Sequence, residues 1–155
     1  MSKLLKGGVV VTARGRLQLD VRIDGEKIVE MGTNLPQAGA EVEDVTGRYL
    51  LPGFIDAHTH LELNNGPGTQ GSADNFYTGS KAAVAKGTTT VIDMATPTKG
   101  QSLQECLAVW NNFAEHTSSC DYTYHMSIIE WNEAIKKEIA EMIDQGITSF
   151  KMYLA

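Results

Sequence analysis

Between residues 54 and 154 the chain alternates four apolar, β-branched stretches with three helical ones, and this rhythm restricts the fold more than any other feature. Strands are predicted over residues 54–61, 88–95, 122–129 and 147–154. Helices are predicted over 74–86, 102–116 and 133–144. Asp74 is the expected N-cap of the first helix and Gly87 its stop. The last helix sets Ile135, Ile139, Met142 and Ile143 on one face, with Gly146 after it. Strands separated by helices at this spacing pair in parallel through right-handed crossovers. An open doubly wound sheet and the first half of a (β/α)₈ barrel both satisfy the pattern. A complete barrel takes roughly 250 residues. On the barrel reading this chain ends before the barrel closes.

Upstream of Pro52-Gly53 there is no helical signal. Residues 4–12 are apolar and β-branched around Gly7-Gly8. Over 17–23, Leu17, Leu19, Val21 and Ile23 alternate with Gln18, Asp20 and Arg22, the mark of a half-buried strand. Asp24-Gly25 is a hairpin signal, with residues 27–31 returning. Residues 43–51 form a further strand, in which Gly47 marks a turn or bulge. The expected organisation is a small antiparallel β module, part of a β-sandwich, over 1–51, followed by an α/β half-barrel over 52–155.

The 155 residues are 42% hydrophobic and 21% charged, which excludes wholesale disorder. A net charge of −6 argues against a nucleic acid or an anionic membrane as partner. Cys106 and Cys120 belong to no CxxC or Cys/His cluster and are expected as reduced thiols. There is no signal-peptide pattern and no apolar run of bilayer length, so a cytoplasmic location is expected.

The chemistry is concentrated in Asp56-Ala57-His58-Thr59-His60, at the end of the first strand of the βα series. Strand alternation places Phe54, Asp56, His58 and His60 on one face, and Ile55, Ala57, Thr59 and Leu61 on the helix-packing face. Two imidazoles at i and i+2 can grip one cation from a rigid strand. Their position at the C-terminal tip is where α/β enzymes build their sites. In Ser149-Phe150-Lys151-Met152-Tyr153, Phe150, Met152 and Leu154 share the apolar face, while Ser149, Lys151 and Tyr153 point as the histidines do. An ammonium facing a barrel interior is costly unless it is paired or chemically changed. By itself, a lysine snorkelling to the strand end, or ion-paired there, is the better reading of that position. Asp56 is expected in a structural role or supporting the metal ligands from behind; Asp93 reads first as a hydrogen-bonded strand-end carboxylate, with support of the ligands as the alternative. His125, within the third strand, reads as a satisfied core histidine rather than a ligand, and His116 as a cation at a helix C-terminus. Trp110, Phe113 and Trp131 read as packing residues. The Gly-rich segment 64–72 lacks a GK[ST] ending and is no phosphate cradle.

Taken in order, these motifs resemble the amidohydrolase superfamily, in its dihydropyrimidinase/D-hydantoinase family. The resemblance is carried by residues 51–60 (LPGFIDAHTH), 74–83 (DNFYTGSKAA), 87–93 (GTTTVID), 100–103 (GQSL), 120–122 (CDY) and 149–153 (SFKMY), and it spans the chain. It implies a binuclear site of two divalent ions, zinc in the usual case. His58 and His60 would bind the more buried ion. Lys151 would be an N6-carboxylysine, formed with carbon dioxide, whose carbamate bridges both ions. The general-base aspartate and the oxyanion tyrosine are expected beyond residue 155, as are the remaining ligands. The implied reaction opens a dihydropyrimidine or hydantoin ring to an N-carbamoyl amino acid. The substrate would be a small cyclic amide and the assembly a homo-oligomer, a homotetramer by resemblance. His60-Leu61-Glu62-Leu63 has no arginine to hold a ring carboxylate, which disfavours dihydroorotate. The alternatives are an allantoinase-like ureide hydrolase and a non-catalytic scaffold protein of the same fold. These 155 residues alone are expected to be inactive.

Overall fold

The computed structural model describes residues 2–63 and 71–153 and divides into two compact units, Met1–Pro52 and Gly53–Ala155. In the first unit β1 (Ser2–Thr12), β2 (Gly15–Asp24) and β3 (Lys27–Gly32) form an antiparallel meander. The β2–β3 hairpin turns at Gly25, whose φ of 58° lies in the left-handed region that glycine enters freely. Two more strands, β4 (Ala40–Asp44) and β5 (Tyr49–Leu50), add to β1 in parallel. The single stretch expected over 43–51 is thus split, and Gly47 lies in the intervening turn at φ 76°.

Strict alternation fails on β2. Asp20 is buried and Leu17 is exposed, the reverse of the sequence expectation. The cause is a register shift in β1 between Leu5 and Gly8. It frees the Gly7 amide, which donates to Asp20 Oδ1 at 2.8 Å, while Leu35 N donates to Oδ2 at 3.0 Å. Lys6 Nζ lies 3.8 Å from the same carboxylate. A buried carboxylate with such partners keeps its charge. The Gly7 amide, followed by weaker contributions from Leu35 N and Lys6, outweighs burial and holds the Asp20 carboxyl below the usual range.

In the second unit β6 (Phe54–Thr59), β7 (Thr88–Ala95), β8 (Asp121–Ile128) and β9 (Phe150–Met152) form one parallel sheet in sequence order. The helices α1 (Phe76–Val84), α2 (Leu103–Ala114) and α3 (Glu133–Asp144) connect them. Phe76 of α1, Leu103, Cys106, Leu107, Trp110 and Ala114 of α2, and Ile135 and Met142 of α3 share one core with Val91, Ala95, Tyr124, Met126 and Ile128 of the strands. All three helices therefore cover the same sheet face. The other face carries the intervening strand residues, and the whole has the arrangement of the first half of a (β/α)₈ barrel. Among the described residues no helix is long and apolar enough to cross a membrane.

Local details depart from the sequence expectation. Asn75, not Asp74, caps α1: its side chain accepts from Thr78 N at 2.8 Å, and its own amide donates to Thr78 Oγ1. Asp74 instead accepts the Thr78 hydroxyl. Helix α2 ends at Ala114 rather than His116, because His116 takes a φ of 62° that no helix accommodates. The expected strand at 147–154 is reduced to Phe150–Met152 among the described residues. Trp131 is 65% exposed and packs into no core of the described residues. Most of the Gly-rich segment, residues 64–70, lies outside the described residues.

The start of β6 is held close to β7. A Cβ on Gly53 would sit 2.0 Å from Thr89 Oγ1 and 2.8 Å from Thr89 Cβ. Gly53→Ala should destabilise the protein by about 1–3 kcal/mol through overpacking. Chemical denaturation measures this, and Thr89→Ala in the same protein should recover part of the loss.

Candidate metal centre

The two histidines converge. His58 Nε2 and His60 Nε2 are 3.2 Å apart, with ring centroids 5.1 Å apart. His58 is the penultimate residue of β6 and His60 lies one residue past the end of the strand, and the alternation between them holds. Alternation from Asp56 to His58 does not. Three steps along β6, from Asp56 to Thr59, match two along β7, from Val91 to Asp93, so the strand carries a bulge. Asp56 pairs with Val91, a residue of the helix-covered core, rather than lying simply in line with the histidines. Its carboxylate accepts the His58 amide at 3.2 Å, which satisfies a backbone group that the bulge removes from the ladder.

Asp93 faces the helices. It is fully buried, yet three donors surround it. Thr59 Oγ1 and Leu61 N both donate to Oδ1 at 2.7 Å, and Trp110 Nε1 donates to Oδ2 at 3.1 Å. The carboxylate therefore grips the residues on either side of His60. Burial pushes the Asp93 carboxyl up, and the Leu61, Thr59 and Trp110 hydrogen bonds oppose that shift. The sequence marks Asp93 but not Trp110, whose indole N–H is its partner.

Lys151 is half-buried on β9, opposite Ser127 in register. Its ammonium lies over the Tyr153 ring, 5.1 Å from the centroid. It also acts on His60: burial first, then the charges of Lys151 and His58, hold the His60 imidazole below its ordinary range. A depressed imidazole stays neutral at neutral pH and keeps a lone pair available. The Nδ1 atom of His60 is buried without a protein partner. Two converging imidazole nitrogens, one of them on a ring held neutral, fit a bound cation between the Nε2 atoms, while the Nδ1 atom of His60 points elsewhere. Among the described residues no cluster of three or more His, Cys, Asp and Glu side chains forms, so this pair is joined only by the lysine.

The neighbouring side chains have other tasks. Leu61 is buried in the core. Glu62, at φ 56°, turns its carboxylate to the N-terminus of α1 and accepts Phe76 N at 3.2 Å. No cation stands at these two positions.

An amidohydrolase family model matches residues 49–153. The chain belongs to the amidohydrolase family. It is 42% identical over 156 residues to a D-hydantoinase of Geobacillus stearothermophilus, covering 100% of this chain and 33% of that relative. It is likewise 42% identical over 159 residues to Dihydropyrimidinase 2 of Caenorhabditis briggsae, covering 100% of this chain and 30% of the relative. The crystal structure of dihydropyrimidinase from Brevibacillus agri NCHU1002 superposes with a TM-score of 0.94 at 42% identity, over 100% of this chain and 33% of that one. The chain thus spans about a third of the length of the relatives it matches.

Proposed function

We propose that the full-length protein hydrolyses a ring amide of dihydropyrimidines or hydantoins, with His58, His60 and Lys151 contributing to a site for two divalent ions, zinc in the first instance. The observation that carries this reading is the 3.2 Å convergence of the His58 and His60 Nε2 atoms at the C-terminal end of β6, beside Lys151. Likeness to relatives named D-hydantoinase and dihydropyrimidinase supports the substrate class.

When bound, the ions would polarise the ring carbonyl and lower the pKa of water, so that a nucleophile exists near neutral pH. His58 and His60 would supply nitrogen donors from one chain segment, and the Asp93 network ties that segment to β7 and α2. An unmodified Lys151 ammonium has no lone pair and would repel cations. As an N6-carboxylysine it offers two oxygens and a negative charge on the same side as the imidazoles. The assembly is proposed to be a homo-oligomer.

Leu61 and Glu62 stand where a carboxylate-binding arginine would be needed, one in the core and the other capping α1. Zinc-loaded full-length protein should therefore open dihydrouracil or hydantoin faster than dihydroorotate, by at least about tenfold, since a missing hydrogen-bonded ion-pair partner costs about 1.5 kcal/mol or more. Ring opening is followed by loss of ultraviolet absorbance. Faster turnover of dihydroorotate, or no turnover of any of the three, refutes the proposal.

A further inference from the structure

The bulge that carries His58 is held from an unexpected direction. Ala57 and His58 have no register partner on β7. Instead, His125 Nε2 on β8 lies 3.0 Å from the Ala57 carbonyl oxygen. A carbonyl only accepts, so Nε2 carries the proton and Nδ1 is left as an acceptor. Nδ1 is met by the Ser149 hydroxyl, which donates to it. Both ring nitrogens are thereby used, and His125 has none left for a cation.

The span of this contact matters. Strands β6 and β8 are separated by β7, a distance of roughly 10 Å in a flat sheet. His125 pairs in register with Met94 between Tyr124 and Met126, both of which belong to the helix-covered core. Its ring therefore crosses β7 on the opposite face, the one that bears the imidazole pair. Ala57 precedes His58, and Ser149 stands two residues before Lys151. One imidazole thus ties the strand bearing the histidine donors to the strand bearing the lysine. It replaces the ladder where the ladder is interrupted.

We propose that His125 is a positioning residue: through Ala57 and Ser149 it sets the spacing between the His58/His60 pair and Lys151, and so controls metal affinity and lysine carboxylation without touching substrate. This rests on the reading that these three residues hold metal. Partners that orient metal ligands in this indirect way typically change affinity by 10–100-fold when removed.

The test uses full-length protein. Zinc affinity is measured by competition with a chromophoric chelator, and the carbamate is followed by NMR after exchange with ¹³C-bicarbonate. His125→Phe keeps the ring volume and loses both hydrogen bonds. It should weaken zinc binding by about 10-fold or more and lower the carbamate signal, with KM for substrate unchanged at saturating zinc. His125→Gln, whose amide N–H can reach the Ala57 carbonyl, should recover most of the affinity. Ser149→Ala is small enough to leave the fold intact should His125→Phe not fold, and it should weaken zinc several-fold. Wild-type affinity and carbamate signal in Ser149→Ala, or in a His125→Phe protein that merely melts earlier, overturn the proposal. A wild-type protein that binds no zinc overturns both this inference and the metal-site reading beneath it. One that binds zinc while the variants match it overturns this inference alone.

Discussion

Lys151→Ala in the full-length protein should lose metal and ring-opening activity together, each by more than the 10–100-fold typical of an indirect metal partner. Lys151 is the only member of the proposed donor set that must change chemically to serve. Its ammonium acts on His60 in the direction of repelling a further positive charge. Removing the side chain therefore relieves His60 electrostatically, and a purely electrostatic role would predict tighter metal binding. A bridging carbamate predicts the opposite. The two roles are separated by metal analysis after dialysis, alongside an activity assay. Added acetate or propionate should restore part of both in the alanine variant, because a small carboxylate offers the same two oxygens. Full activity and full metal content in Lys151→Ala without any added acid would eliminate the carbamate.

The parts of this site that rest on strand periodicity are legible in the sequence. His58 and His60 are two residues apart and do share a face, and Phe150 does pack into the helix-side core while Lys151 does not. The βα order is equally legible, because each helix carries an apolar stripe and each strand a β-branched run. Non-local contacts are not. The bulge between Asp56 and Thr59 exists only in relation to β7, and no pattern within residues 54–61 announces it. The role of His125 depends on the sheet order, in which its ring reaches across β7 to Ala57 on β6 and meets Ser149 beside β9. A histidine flanked by Tyr124 and Met126 reads simply as a satisfied core histidine of the strand. On β2 the buried Asp20 defeats alternation for the same reason: its partners, Gly7 and Leu35, come from other segments. At the start of α1 the failure is local. Asp74 and Asn75 both have capping side chains, and Thr78 at N3 completes the capping box with Asn75 while its hydroxyl also reaches Asp74.

Asp93→Ala should cost about 3–5 kcal/mol of stability, because it strands two buried donors, Leu61 N and Trp110 Nε1, and the part-buried Thr59 hydroxyl, at about 1–3 kcal/mol each, less what local relaxation returns. Against a typical total of about 5–15 kcal/mol this is a severe loss. Asp93→Asn is the more informative change. Its amide oxygen can keep the Oδ1 position and accept from Thr59 and Leu61. Its NH₂ must then face the indole N–H of Trp110, donor against donor. That single mismatch should cost about 2 kcal/mol. Trp110→Phe removes the opposing donor at the price of a smaller ring. In the Trp110→Phe background Asp93→Asn should therefore cost about 1–2 kcal/mol less than in the wild type, a coupling within the range for residues in contact. Denaturant midpoints of the four proteins close the cycle. Additivity within about 0.3–0.5 kcal/mol would show that the Asp93–Trp110 bond carries none of the effect. Zinc affinity read on these four proteins and on Asp93→Ala should follow the Thr59 and Leu61 contacts instead. Asp93→Asn, which keeps both, should retain more of its metal than Asp93→Ala, which keeps neither and releases the Thr59 side chain and the Leu61 backbone on either side of His60.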